Sequence, residues 1–275
     1  MTLGFMQGRL SPPVGGRIQA FPSDCWREEF SEAGRLGFTP MEWTLDHLGL
    51  AENPLMTPQG REEIRTLAAK HGVAIPSLTG DCFMQAPFWK AATTDARWTL
   101  LAELDAVLDA CSALGISLVV VPVVDNGSVE NPAQEAALHD ALLARAPTLR
   151  QLGVKIVFES DLAPDALADW IAAYPADVFG VNYDTGNSAA LGFDPEIEWA
   201  RYGHRILNIH IKDRPLGGTT VPLGEGACDF KACFRAMTKA GYAGNLILQT
   251  ARAADGDHAS ALTRYQDFVR SRLEE

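Results

Sequence analysis

The feature that most constrains the fold is the alternation, along the whole chain, of short β-branched or apolar segments with longer segments of helical periodicity. This alternation predicts a parallel sheet of the α/β class, and eight units predict a closed (β/α)₈ barrel, the TIM barrel. The predicted strands are Thr2–Met6, Pro40–Trp43, Ala74–Thr79, Ser117–Pro122, Lys155–Phe158, Val178–Tyr183, Ile206–Ile211 and Asn245–Leu248. The predicted helices are Asp24–Leu36, Glu62–His71, Ala96–Leu114, Glu135–Leu152, Pro164–Tyr174, Asp229–Ala240 and Ala259–Leu273.

Five predicted helices end in a glycine just before the next strand, in the sequences RLGF, KHGV, ALGI, QLGV and KAGYAG. Glycine at this place adopts the left-handed conformation that closes a helix. No Pro/Ser-rich linker divides the chain, so residues 1–275 are predicted to form a single domain. An open doubly wound sheet is the alternative, but GFMQGRLSPP lacks the Gly-x-Gly-x-x-Gly that usually follows its first strand.

Charge and cysteine content restrict the partners and the compartment. A net charge of -12 opposes binding to nucleic acid, which requires clustered Lys and Arg. The five cysteines are odd in number and form no CxxC pair, which argues against a disulfide framework and indicates a reducing, cytoplasmic location. No apolar run approaches the roughly 18 residues of a membrane span, so no membrane association is predicted.

Most predicted strands end in a polar or ionisable residue, and a barrel brings strand ends to one rim. These residues are Glu42, Asp81, Asp125, Glu159, Asp184, His210 and Gln249. Buried carboxylates this close would repel one another unless a cation neutralised them. Glu159, Asp184 and His210 are therefore predicted to bind one divalent metal ion, and their oxygen and nitrogen donors suit Mn²⁺, Mg²⁺, Co²⁺ or Zn²⁺. The alternative is that these three residues form unrelated salt bridges at the surface.

A metal in such a site makes proton transfer from carbon possible. It polarises the substrate oxygens and stabilises the enediolate that forms when a neighbouring C–H bond loses its proton to a carboxylate base. Moving the proton to the adjacent carbon isomerises an aldose and a ketose, whereas returning it to the opposite face of the same carbon epimerises the sugar.

Four segments carry a family resemblance: VFES, VNYDTGN, NIHIKDR and GGTTVPLGEG. They resemble the xylose-isomerase-like TIM-barrel superfamily, specifically its sugar phosphate isomerase/epimerase group, over nearly the whole chain. The resemblance implies a metal held by Glu, Asp, His and Glu at the ends of strands five to eight, with both glutamates transferring protons. Glu159, Asp184 and His210 match the first three positions. Relatives commonly form dimers or tetramers, which implies a homodimer or homotetramer here.

The fourth position departs from this pattern, because strand eight ends in NLILQTAR and places Gln249 where the family has Glu. The amide oxygen can coordinate a metal, so Gln249 is predicted as a ligand at the catalytic position, but an amide cannot act as a base near neutral pH. Proton transfer would then depend on Glu159 alone or on a neighbour such as Glu225.

The residues predicted to bind the substrate are Glu42, Asp81, Asn187, Lys212 and Arg214. Lys212 and Arg214 closely follow His210, the predicted metal ligand, and could bind a substrate hydroxyl, carboxylate or phosphate. The alternative is that they belong to a solvated basic loop. Asn187 occupies the place where some relatives have His. For Glu42, an ion pair with Arg9 is the alternative to substrate contact.

The primary hypothesis is a metal-dependent isomerase or epimerase of a small sugar, sugar phosphate or hydroxy-ketone. The alternatives are a lyase similar to inosose dehydratase and a sugar-binding relative whose catalysis is impaired by Gln249. A DNA-repair endonuclease of the same superfamily would need a histidine-rich cluster of several metals, whereas only one of six histidines here ends a predicted strand.

Overall fold

The computed structural model describes residues 1–273, in which eight parallel strands close into a barrel in chain order from β1 to β8. Closure occurs where β1 pairs with β8, for example Thr2 with Asn245. The strands are β1 Thr2–Met6, β2 Met41–Thr44, β3 Ser77–Thr79, β4 Leu118–Val123, β5 Lys155–Ser160, β6 Phe179–Asp184, β7 Ile206–Ile211 and β8 Asn245–Leu248. The predicted barrel is confirmed; its proposed domain boundary at 275 includes residues 274 and 275, which lie outside the described residues.

Eleven α-helices occur in residues 1–273, and most of them surround the barrel. They are α1 Trp26–Leu36, α2 Pro58–His71, α3 Asp81–Gln85, α4 Thr94–Leu114, α5 Pro132–Leu143, α6 Ala146–Leu152, α7 Pro164–Ala172, α8 Thr185–Leu191, α9 Pro195–Tyr202, α10 Phe230–Lys239 and α11 His258–Leu273. The single helix predicted over Glu135–Leu152 is wrong, because the chain forms two helices there. Pro147, in the first turn of α6, lacks the N–H that an uninterrupted helix would require.

Two other differences from the predicted elements concern strand β3 and the short helices. Strand β3 begins at Ser77 rather than Ala74, since Pro76 has no N–H to donate to a sheet. Helices α3, α8 and α9 were not predicted, and all three have eight residues or fewer. The five predicted helix-ending glycines do have positive φ, as at Gly37 (74°) and Gly115 (83°).

The core lies both inside the barrel and between the strands and the helices. Trp43 on β2 is fully buried and makes edge-to-face contacts with Trp26 of α1, with ring centroids 5.8 Å apart. Burying each large apolar side chain contributes roughly 1.5–3 kcal/mol. Rigid packing below the rim holds the strand ends in fixed positions.

Within residues 1–273, no helix combines the length and the apolar character that crossing a bilayer would require. The five cysteines, all within the same range, are free thiols.

Candidate metal centre

The three predicted metal ligands meet at the carboxyl ends of three adjacent strands. Glu159 lies in β5, Asp184 ends β6 and His210 lies in β7, where it pairs in register with Asp184. One potential ligand atom from each residue lies within 4.8 Å of the others, and all three side chains are buried. They therefore do not form separate salt bridges at the surface.

The imidazole of His210 is held between two carboxylates. Its Nε2 lies 2.7 Å from Glu42 Oε1, and its Nδ1 lies 3.1 Å from Glu159 Oε2. Burial disfavours the imidazolium, but the charges of Glu42 and Glu159 outweigh burial and raise the pKa of His210 to about 10. A carboxylate on the far ring nitrogen is the usual device for orienting a metal-binding histidine. Because Glu42 occupies Nε2, the other ring nitrogen, Nδ1, is directed toward Glu159.

Glu42 is completely buried beside His210 and does not line the cavity at the carboxyl ends of the strands. Thr79 donates a hydrogen bond to its Oε1 (2.7 Å), and the Asn208 amide donates one to its Oε2 (2.8 Å). The predicted alternative partner, Arg9, instead donates to the carbonyl of Ile18 and to the Gln19 side chain. The position of Glu42 favours support of the imidazole over direct contact with substrate.

Two asparagines fix the carboxylate of Glu159. Asn182 donates to Oε2 (3.0 Å) and Asn187 donates to Oε1 (2.7 Å). Burial alone would raise the pKa of Glu159, but the hydrogen bond with His210 and the charges of His210 and Lys212 prevail and lower it. This carboxylate is therefore ionised at neutral pH, as a metal ligand or a base must be.

Both oxygens of Asp184 are also engaged. Oδ1 accepts hydrogen bonds from the backbone N–H groups of Gly186 and Asn187, each at 2.9 Å, and so caps helix α8. Oδ2 accepts from Lys212 Nζ at 2.9 Å. Because a carboxylate oxygen has two lone pairs, Oδ2 can serve Lys212 and a cation together.

A cavity of about 570 Å³ opens above this cluster at the carboxyl ends of the strands. It is lined by six of the residues predicted for the site: Asp81, Glu159, Asn187, Lys212, Arg214 and Gln249. Glu225, named as a possible second base, is exposed and does not line this cavity.

Lys212 and Arg214, which follow β7, do not form a solvated basic loop, because both side chains have partners. Lys212 is paired with Asp184 as described, and Arg214 Nη1 donates to Asn187 Oδ1 at 2.8 Å. The other nitrogens of Arg214 donate to the carbonyl of Gly218 at 2.9 and 2.7 Å. Arg214 thereby positions Asn187, the residue that in turn holds Glu159.

Gln249 follows β8, lines the cavity and is only 8% exposed. Its Oε1 is buried without a hydrogen-bond partner among residues 1–273. Leaving a buried acceptor unsatisfied costs about 1–3 kcal/mol, and a bound cation would remove that cost. The set of two carboxylates, one imidazole and one amide oxygen therefore fits a divalent ion.

Sequence reasoning missed the polar residues inside the strands that support the site. Asn182 and Asn208 each lie two residues before a predicted ligand, and the Asn208 amide donates to Asn182 Oδ1 at 2.9 Å. A polar residue within the otherwise apolar runs VNYD and NIHI was the available signal, because a buried amide needs a partner.

Comparisons with known proteins agree with this architecture. The family model for the xylose isomerase-like TIM barrel matches residues 30–269. The chain is 25% identical over 280 residues to L-ribulose-5-phosphate 3-epimerase UlaE of Escherichia coli (strain SMS-3-5 / SECEC), with 95% of each chain covered.

Solved structures show the same fold. D-psicose 3-epimerase from Clostridium cellulolyticum H10 superposes with a TM-score of 0.76 at 14% identity, covering 99% of each chain. A xylose isomerase-like TIM barrel protein from Mycobacterium smegmatis in complex with magnesium has a TM-score of 0.69 at 19% identity, covering 98% of this chain and 97% of that one. The relatives support the prediction of an enzyme of the sugar isomerase/epimerase kind. The chain belongs to the xylose isomerase-like TIM-barrel family.

Proposed function

We propose that this protein is a divalent-metal-dependent isomerase or epimerase of a small sugar, sugar phosphate or related hydroxy-ketone. The observation that carries the proposal is the convergence of Glu159, Asp184 and His210 within 4.8 Å beneath a polar cavity. The 3-epimerase names of two relatives favour epimerisation of a ketose within this class.

Glu159, Asp184 and His210 would hold the ion, with the amide oxygen of Gln249 as the fourth protein donor. A bound divalent cation would supply Lewis-acid polarisation of two neighbouring substrate oxygens. Glu42 holds the imidazole of His210 in the orientation that binding requires.

Glu159 is the base in this proposal. It is ionised, faces the cavity and is fixed by Asn182 and Asn187, so its carboxylate can accept a proton from the carbon beside a substrate carbonyl. Lys212 and Arg214 line the same wall and would meet the substrate hydroxyls or a phosphate.

One observation favours a second candidate, a sugar-binding protein with impaired catalysis. Gln249 stands where the resemblance implies a glutamate, and an amide cannot take a proton from carbon. The two candidates predict the same bound ligand but differ in whether a C–H bond is broken.

The test is incubation of the Mn²⁺-loaded protein in D₂O with a panel of ketoses and ketose phosphates. Deuterium next to the carbonyl of the recovered sugar, together with the epimer or aldose, supports the proposal. Glu159→Gln should abolish formation of the epimer or aldose. Sugar binding without incorporation would favour the binding protein, and loss of water from a cyclic polyhydroxy-ketone would favour a lyase.

A further inference from the structure

Epimerisation at one carbon poses a problem that this site has to solve with its own residues. A proton leaves one face of the carbon and another proton arrives at the opposite face, which requires two proton-transfer groups on opposite sides of the substrate. Glu159 is one such group, but the amide of Gln249 cannot be the other. The following inference rests on the proposed function and concerns the missing group.

Five titratable side chains line the cavity: Asp81, Asp125, Glu159, Lys212 and Arg214. Lys212 is ion-paired with a predicted metal ligand. Arg214 is permanently charged and its donors are occupied by a carbonyl and an amide oxygen. Asp125 is exposed to solvent at the outer end of β4. Only Asp81 remains as a buried acid whose proton could move.

Asp81 begins helix α3 two residues after the end of β3, is 7% exposed and lines the cavity. The ion pairs of the site involve other carboxylates, and Asp81 has none within 4 Å among residues 1–273. Met84, Pro122 and Val124 line the cavity as well and contribute apolar surface to it. Arg9, Gln19 and His210 lie near enough to favour the ionised form of Asp81, but burial outweighs them.

The protonation of Asp81 agrees with this geometry. Burial, followed by the negative charges of Asp46 and Glu159, raises the pKa of Asp81 to about 7. Both forms of the acid are then populated near neutral pH, which suits a group that donates a proton in one direction of a reaction and accepts it in the other.

Asp81 and Glu159 also approach the cavity from different places. Asp81 follows β3 and Glu159 lies on β5, and strand β4 separates these two strands. The two carboxyl groups share no hydrogen bond, although the charge of Glu159 influences Asp81. Asp81 and Glu159 therefore line one cavity from two strands that a single strand separates.

We propose that Asp81 is the second proton-transfer group of this site and takes the role that Gln249 cannot perform. Glu159 removes the proton from one face of the carbon, and the C–H electron pair forms a C=C bond as the carbonyl pair moves to oxygen. The Asp81 carboxyl then protonates the opposite face: the C=C pair becomes the new C–H bond and the carbonyl reforms. Asp81 is left ionised and Glu159 protonated, and exchange with water restores both.

The test compares hydrogen exchange from the two epimers of a ketose in D₂O, starting with L-ribulose 5-phosphate and its 3-epimer, with the other ketoses of the panel as further probes. The wild type should exchange the proton at the epimerised carbon of both. Asp81→Asn should retain exchange of the epimer that Glu159 deprotonates but lose exchange of the other, and epimerisation should fall about 10²–10⁴-fold. Asp81→Glu should recover part of the lost exchange.

The matched control is Asp169→Asn, which makes the same change at an exposed position of α7 and should leave exchange of both epimers unchanged. Mn²⁺ content and thermal melting of Asp81→Asn should show that the metal and the fold are retained. Equal exchange of both epimers by Asp81→Asn, or an equal loss of both with the metal retained, would overturn the inference but leave the proposed function standing. Absence of exchange with every ketose in the wild type would overturn both.

Discussion

Buried carboxylates on the two sides of the barrel differ in the charges that surround them. On the β5–β7 side, Glu159 lies beside His210 and Lys212, and its pKa is lowered despite burial. On the β1–β3 side, burial dominates and raises the pKa of Glu29 to about 6 and that of Asp81 to about 7. Glu159 is therefore held in its charged form, whereas Asp81 and Glu29 can change their protonation near neutral pH. The division does not extend to every buried acid, because His210 lowers the pKa of Glu42 on β2 despite burial and burial raises that of Glu198 in α9.

The strands on the two sides of the barrel also differ in length. Strands β5, β6 and β7 have six residues each, whereas β1, β2 and β3 have five, four and three. The longer strands carry Glu159, Asp184 and His210 into a network in which carboxylate and amide groups are hydrogen-bonded to one another. Together, the two sides would provide what the proposed proton transfer requires.

The largest expected effect comes from removing Glu159, the base of the proposed mechanism, from the charged side. Glu159→Gln keeps the shape of the side chain but cannot accept a proton, so turnover should fall about 10²–10⁴-fold. The rate at which one epimer is converted into the other measures the loss. Turnover within a few fold of the wild type would show that the base lies elsewhere.

On the opposite side, the titration of Asp81 should make the free energy of unfolding depend on pH. Because the pKa of folded Asp81 is raised to about 7 from its usual 3.8, the folded state binds this proton more tightly than the unfolded state does. Its contribution to stability is present at low pH and is lost as the pH rises from about 4 to 7.

Asp81→Asn removes this dependence and should therefore gain stability relative to wild type by roughly 2–3 kcal/mol between pH 5 and pH 8. Urea unfolding of the metal-free proteins at both pH values measures the difference, and Asp169→Asn should show none. A pH-independent difference would contradict a raised pKa at Asp81.

Glu42 connects the two sides, since it lies on β2 and holds the histidine on β7. Glu42→Gln removes the charged acceptor of His210 Nε2, and loss of such a partner typically costs 10–100-fold in metal affinity. Titration of the metal-free protein with Mn²⁺ against a competing chelator checks this. Glu52→Gln, at an exposed position, is the control, and equal affinities would refute the role given to Glu42.

The smallest effect is expected from Gln249→Glu, which adds a carboxylate to the charged side. A further negative ligand should tighten Mn²⁺ binding about tenfold, by roughly 1.4 kcal/mol. In the Asp81→Asn background it should also restore exchange of the epimer that had become inert, because a base returns to the end of β8. Tight Mn²⁺ binding without this rescue would show that a carboxylate at position 249 binds the metal but cannot transfer the proton.

The barrel and the convergence of Glu159, Asp184 and His210 could be predicted from the sequence because both depend on local patterns. A strand shows itself by an apolar run, and Glu159, Asp184 and His210 stand at the ends of such runs. The hydrogen-bond partner of Glu42 could not be predicted. Arg9 and His210 are both distant from it in sequence, and only the folded structure shows which of them lies beside it.

The short helices and the raised pKa of Asp81 could not be predicted either, because neither leaves a local pattern in the sequence. Helices α8 and α9 have seven and eight residues, too few for a clear period, and α8 is capped by Asp184 itself. The environment of Asp81 is made by loops after several strands, so its raised pKa is a property of packing and not of a motif.

The most direct test of the central claim is a count of bound Mn²⁺ per chain by elemental analysis after reconstitution and gel filtration. The wild type should retain close to one ion, whereas Glu159→Ala and His210→Ala should retain almost none, with folding checked by circular dichroism. If all three proteins carried the same amount of manganese, the cluster at the ends of β5, β6 and β7 would not be a metal centre.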